Sequence, residues 1–266
     1  MKFLRFLDRV GRNHTGILKD GETVIIAKGT PFYGLSETED RMRLSEVASF
    51  LPPVYPPNVF ALGLNYGLHA AETGKQPPDH PMIFLKGTNS VTAHLQPIRL
   101  PAPAPCEVDY ECELAVIIGR TARKVTPGQA RDYILAYTCG NDVSARDCQT
   151  RLDLQWARAK SFDTFCPLGP VADTDFNPSS ARITTTLNGK IMQDSNVSDL
   201  IFNVFELVSF ISQGITLWPG TVIMTGTPNG VGFTRKPPVF LRPGDTVEVE
   251  IGGLGRLINP VVADNV

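Results

Sequence analysis

Apolar and polar residues alternate in short runs along most of this chain, the period of a strand with one face buried. The start, MKFLRFLDRVGRN, reads as a first strand. Arg5, Asp8 and Arg9 interrupt its apolar stretch before it reaches the length of a signal sequence. Asp20-Gly21 stands between Gly16-Ile17-Leu18 and Thr23-Val24-Ile25-Ile26, which predicts a hairpin. Leu44 to Leu51 reads as a small amphipathic stretch. Tyr110 to Gly119 predicts one strand ending at Gly119, and Thr246 to Ile251 alternates as a half-buried strand. Two segments carry helix signals. Thr126-Pro127-Gly128-Gln129 places a cap, a first-turn proline and a capping-box glutamine in order. Val204, Leu207, Val208 and Ile211 have helical spacing, with Asn203 to cap and Gly214 to stop. The pattern predicts a β-rich α+β protein.

Composition sharpens this. The chain of 266 residues holds 23 glycines and 22 prolines without repeat or low-complexity block, so it needs many turns. Four prolines fall in PPVYPPN (52–58), where neither helix nor ladder can continue easily. We place there the boundary between a small N-terminal domain (1–55) and a main domain (56–266). The net charge of −2, without a basic block, argues against a nucleic-acid partner. No apolar run has the length of a membrane span. The five cysteines, at 106, 112, 139, 148 and 166, form no C-x-x-C pair. That usage suits a reduced, cytoplasmic compartment better than a disulfide framework.

The chemistry concentrates in five segments. Glu111 and Glu113 lie two apart on a predicted strand and so share a face. The apolar run after them predicts burial, where two like charges repel and lose solvation. Either one carboxyl keeps its proton or a hard divalent cation sits between them. Solvated glutamates on an edge strand are the bland alternative. Asp142, in Gly140-Asn141-Asp142-Val143-Ser144-Ala145-Arg146, can supply a third oxygen or simply cap a turn. Arg146 and Gln149 are spaced to share one side of a following turn. His69 and Glu72 face each other on a short helical turn, as a base and its orienting carboxylate, or as ordinary surface residues. Lys160 is a cation in mixed polar and aromatic surroundings. In Thr225-Gly226-Thr227-Pro228-Asn229-Gly230-Val231-Gly232, backbone N–H groups or the Thr227 hydroxyl can meet an anionic ligand. The segment lacks the residues of a phosphate-binding P-loop.

Together these segments resemble the fumarylacetoacetate hydrolase family. The matching stretches are GLNYGLHAAE (63–72), DYECELAVIIG (109–119), GNDVSARDCQ (140–149), AKSFDTFCPLGP (159–170), TGTPNGVG (225–232) and GDTVEVEIGGLGRLINPV (244–261). They run in the family's order from about residue 58 onward. The resemblance implies a mixed-sheet β-roll catalytic domain, Mg²⁺ or Mn²⁺ on Glu111, Glu113 and Asp142, and a His69–Glu72 dyad on a lid helix. It implies that Lys160 stabilises developing negative charge, and that Arg146, Gln149 and Thr227 contact a keto-acid substrate. Lys86 matches a position near the pocket, although FLKG stands here where the family has FLKP. A homodimer is the family expectation.

The expected activity is hydrolysis of a carbon–carbon bond in a 1,3-diketo acid, such as an acylpyruvate or fumarylpyruvate, in aromatic or amino-acid catabolism. Decarboxylation of an oxaloacetate-like acid, or isomerisation or tautomerisation of a 2-hydroxydienoate, would use the same site. The His–Glu pair tilts the reading toward hydrolysis or decarboxylation, because isomerisation does not require a base for water.

Overall fold

The short alternating runs do become strands, and the strands assemble into two main sheets. In this computed structural model residues 1–264 are described. The larger sheet begins at the edge strand Gly34–Arg43 and passes through Thr23–Thr30, Asn13–Lys19 and Lys2–Leu7. It continues through Cys166–Asp173, Ile134–Asn141, Cys112–Ile118, Val222–Met224 and Val59–Gly63 to the edge strand Met82–Lys86. Val222–Met224 and Val59–Gly63 run parallel, so the sheet is mixed. The second sheet orders Lys190–Asn196, Arg182–Leu187, Thr246–Ile251, Gly255–Ala263 and Ile98–Leu100. Three α-helices are present among the described residues: α1 (Gly67–Glu72), α2 (Trp156–Lys160) and α3 (Val204–Ser212). None is long and apolar enough to cross a membrane.

Local chemistry explains several elements. Asp20 and Gly21 both have positive φ, 47° and 82°, as a tight hairpin turn requires. At α3, Asn203 Oδ1 accepts the N–H groups of Phe205 (3.0 Å) and Glu206 (3.2 Å), and Glu206 Oε2 accepts that of Asn203 (2.8 Å). That capping box satisfies three donors that would otherwise lack partners. The apolar face of α3, from Val204 to Ile211, packs into the cluster that also holds Cys112, Leu114, Val116 and Ile118. The opposite face of the same strand puts Ala115 and Ile117 against Phe3, Val59 and Val222. Cys112–Ile118 is therefore apolar on both faces, the environment of a central strand. Glu113 shares the face of Ala115 and Ile117.

Two expectations need correction. Thr126 does open a capping box, and Gln129 Oε1 accepts the Thr126 N–H at 3.2 Å. Yet Pro127–Tyr133 is a 3₁₀ helix rather than an α-helix. Ile134 must already be extended to pair with Ile118, so the chain has only two tight turns to spend there. Leu44 to Leu51, for which the sequence named no element, holds a 3₁₀ turn at Leu44–Glu46 and a strand at Ser49–Leu51 that pairs with the first strand. The strand expected from Tyr110 to Gly119 begins later, at Cys112, and ends at Ile118. Val108–Asp109 pairs with Ser144–Ala145, Cys112–Ile118 pairs with Ile134–Asn141, and Glu111 sits at the break between them.

Candidate active site

The break at Glu111 brings the carboxylates together. Glu111 donates its N–H to Asn141 Oδ1 at 3.0 Å, and its carbonyl accepts the Asp142 N–H at 2.9 Å. These two bonds seat Asp142 beside the E-x-E pair across some thirty residues of sequence. Carboxylate oxygens of Glu111, Glu113 and Asp142 then lie within 4.8 Å of one another, all buried.

Each carboxylate has a different environment. Glu113 Oε2 accepts the Gly226 N–H at 2.8 Å, while Oε1 is buried without a partner. Burial, followed by the charges of Asp142 and Glu111, drives its pKa well above the ordinary carboxylate value. Burial also penalises charge on Glu111, but Lys160 and Arg146 outweigh it and hold that pKa low. Lys160 Nζ lies 2.7 Å from both Glu111 Oε2 and Asp142 Oδ2. Burial opposes its charge, and the same two carboxylates reverse the effect and raise its pKa. Lys86 Nζ donates to Asp142 Oδ1 at 2.6 Å and to the backbone carbonyls of Val143 and Lys160.

These residues fit a hard divalent cation. The donors are all oxygen, two of the three carboxylates are already fixed by cations, and the third has an orphaned oxygen aimed at no protein group. The acidic triad can bind such an ion.

His69 and Glu72 lie on α1. Glu72 Oε1 is 2.8 Å from His69 Nδ1. A carboxylate can only accept, so Nδ1 carries hydrogen and the neutral ring keeps its lone pair on Nε2. Glu72 is itself anchored. It accepts the Gly230 N–H at 3.0 and 3.2 Å and the Thr234 hydroxyl at 3.0 Å.

The glycine-rich loop does meet anions through its backbone, but they are the chain's own carboxylates. Gly226, Gly230 and Gly232 give their N–H groups to Glu113, Glu72 and Asp109 respectively. Of the loop residues expected to meet a ligand, Thr227 lines the cavity.

That cavity measures about 350 Å³. His69, Glu111, Arg146, Gln149, Lys160 and Thr227 line it together with Thr73, Lys75 and Thr150, against apolar walls that include Leu62, Phe84, Trp156 and Phe233. Arg146 lies under the Phe233 ring, 4.2 Å from its centroid. Its Nη2 is 2.8 Å from Asp109 Oδ2 and 2.7 Å from Glu111 Oε1, and Nη1 donates to Gln149 Oε1 at 2.7 Å. All the residues singled out in the sequence thus converge on one site, with Glu72, Glu113 and Asp142 behind the lining.

Two members escaped the sequence reading. Asp109 is fully buried and accepts from Arg146 Nε, Gly232 N and Phe233 N. The D-x-E-x-E alternation was its available signal. Gln193 bridges the second sheet to the loop and had no signal, being one polar residue in an ordinary strand.

A family model described as fumarylacetoacetate (FAA) hydrolase C-terminal matches residues 58–262, and one described as Rv2993c-like, N-terminal matches residues 1–53. A Rattus norvegicus protein named oxaloacetate tautomerase Fahd2a, mitochondrial, is 43% identical over 221 residues, which is 82% of this chain and 70% of that one. The solved structure of a Mycobacterium smegmatis 5-carboxymethyl-2-hydroxymuconate delta-isomerase has a TM-score of 0.88 at 40% identity, covering 99% of this chain and all of its own. That of a fumarylacetoacetate hydrolase from Exiguobacterium antarcticum has a TM-score of 0.88 at 35% identity, covering 99% of each chain. This chain belongs to the fumarylacetoacetate hydrolase family.

Proposed function

We propose that this protein is a divalent-metal-dependent isomerase or tautomerase. It would shift a proton between carbon and oxygen, or between two carbons, of a 2-oxo or 2-hydroxy-alkenoic acid. One observation carries the proposal: His69 is held with Nε2 free for the proton, at the wall of a cavity whose polar lining is rich in cationic groups. The names of the tautomerase and isomerase relatives, at 43% and 40% identity, support it over carbon–carbon hydrolysis. The dyad that favoured hydrolysis in the sequence serves proton transfer equally well. A base fixed by a carboxylate can take a proton from a C–H made acidic by an adjacent carbonyl as well as from water.

In this reading Glu111, Glu113 and Asp142 hold Mg²⁺ or Mn²⁺. When bound, the ion supplies Lewis acidity that lowers the cost of negative charge on the substrate oxygens. His69 takes the proton at Nε2 and returns it at the new position. Glu72 holds the ring and stabilises it while charged. Lys160 offsets the charge that develops on substrate oxygen. Arg146, Gln149 and Thr227 orient the acid.

The test follows loss of enol absorbance for freshly dissolved enol oxaloacetate, with Mg²⁺ and with EDTA. Acetylpyruvate and fumarylpyruvate are run beside it for cleavage products, and pyruvate release reports decarboxylation. Metal-dependent ketonisation faster than any cleavage is expected. Faster carbon–carbon cleavage, or full activity in EDTA, would overturn the proposal.

A further inference from the structure

Gln193 is 1% exposed on the strand Lys190–Asn196, and its amide is fully hydrogen-bonded. Oε1 accepts the Cys112 N–H at 3.0 Å and the Thr185 hydroxyl at 2.7 Å. Nε2 donates to the Pro228 carbonyl and to Thr227 Oγ1, both at 2.8 Å. The backbone partners fix the amide's orientation, because the Cys112 N–H can only donate and the Pro228 carbonyl can only accept. A flipped amide would lose both bonds. Thr227 Oγ1 is therefore an acceptor toward Gln193, and its own proton must turn elsewhere. The Cys112 sulfur, which the Thr227 hydroxyl can reach, is a weak acceptor. On its other side Thr227 lines the cavity.

We infer that Gln193 is a positioning residue that sets the Thr227 hydroxyl as a hydrogen-bond donor into the cavity, toward a carboxylate oxygen of the bound acid. The inference rests on the reading that the cavity takes a small oxo acid. It adds a reason for Thr227 to prefer an anion over a donor group there. It also ties that preference to the strand that bears Glu113, since the same amide holds the Cys112 N–H.

The test uses the full-length, Mn²⁺-loaded protein with oxalate, an unreactive anion with a carboxylate beside a second oxygen-bearing carbon. Gln193→Glu keeps the acceptors for Cys112 and Thr185 but cannot donate to both Thr227 and Pro228. The oxalate dissociation constant should rise about tenfold, the scale of one hydrogen bond to a charged group. Thr227→Val should raise it similarly, and the double variant no further. Mn²⁺ affinity should stay unchanged. With enol oxaloacetate, KM should rise and kcat hold, the mark of contacts made equally in ground and transition states. If Gln193→Glu does not fold, Gln193→Met should give a smaller rise that vanishes in the Thr227→Val background. Absence of oxalate binding to the unaltered protein, an unchanged dissociation constant, additive effects, or a parallel loss of Mn²⁺ affinity would each overturn the inference. If the oxalate pattern holds while oxaloacetate is not turned over, the proposed function falls and the positioning role stands.

Discussion

The backbone N–H of Gly230 lies 3.0 Å from Glu72 Oε2 and ties the helix that bears His69 to the loop that bears Thr227. Glu72 thereby serves two ends: it orients the imidazole, and it clasps α1 against the site. Gly230 has φ of 97°, and a Cβ there would collide with the Met192 carbonyl oxygen, so no other residue reproduces the contact without strain.

Glu72→Gln should lower kcat by about 10²-fold, the usual scale for a disabled acid–base partner, and His69→Ala by as much or more. Neither residue belongs to the acidic triad, so calorimetric Mn²⁺ affinity should not change in either variant. Loss of Mn²⁺ binding in His69→Ala would remove the division of roles.

Glu113→Gln separates metal binding from folding. The variant should lose Mn²⁺ affinity by more than the roughly 10–100-fold typical of a group one shell further out. In EDTA, its thermal midpoint should match or exceed that of the unaltered protein. The substitution removes a buried carboxyl with an orphaned oxygen and two carboxylate neighbours, while an amide can still accept the Gly226 N–H. A lower midpoint in EDTA would show that the carboxylate is structural.

Gly232→Ala should cost about 2–4 kcal/mol in denaturant unfolding. A Cβ at this position would collide with the Val239 carbonyl oxygen and crowd Asp109 Oδ1, the acceptor of the Gly232 N–H. Displacing Asp109 frees Arg146, so KM should rise as well. A stability change under about 0.5 kcal/mol, the range of neutral surface changes, would contradict this packing.

His94 predicts an acid-side loss of stability. Burial lowers its pKa from 6.5 to about 4, and its Nδ1 accepts the Ile258 N–H at 3.0 Å. A proton on Nδ1 would oppose that donor. The unfolded chain binds the proton at higher pH than the folded one. The contribution is therefore complete above 6.5 and declines as pH falls toward about 4. His94→Gln should flatten the slope of thermal midpoint against pH across that window. An unchanged slope would assign the acid sensitivity to other groups.

Much of the site was legible because its residue types are chemically expensive to bury. Two glutamates at spacing two before an apolar run, a histidine three residues before a glutamate, and a lysine between aromatics each need a partner. The structure gives them to one another. The helix after Asn203 was equally legible, since its cap and apolar face are both local. Segments were misread where a distant strand overrode local preference. Pro127–Tyr133 has the cap of an α-helix, but pairing of Ile134 with Ile118 ends it early. Tyr110 to Gly119 has strand composition throughout, yet Tyr110 and Glu111 fall between two strands that pair with different partners.

The sequence by itself determined which residues had to be near charge, which stretches had to be buried, and where the chain had to turn. Those follow from solvation, side-chain period and backbone freedom, all properties of a residue and its near neighbours. Only the tertiary structure decided which charge meets which. Asp142 reaches Glu111 through two backbone bonds at a strand break, and the loop's N–H groups serve Glu113, Glu72 and Asp109 in place of an external anion. Gln193 acquires its place beside Thr227 because one sheet packs against the other. No local pattern encodes such pairings, because each depends on a buried donor or acceptor that lies far away in sequence and must be satisfied once water is excluded.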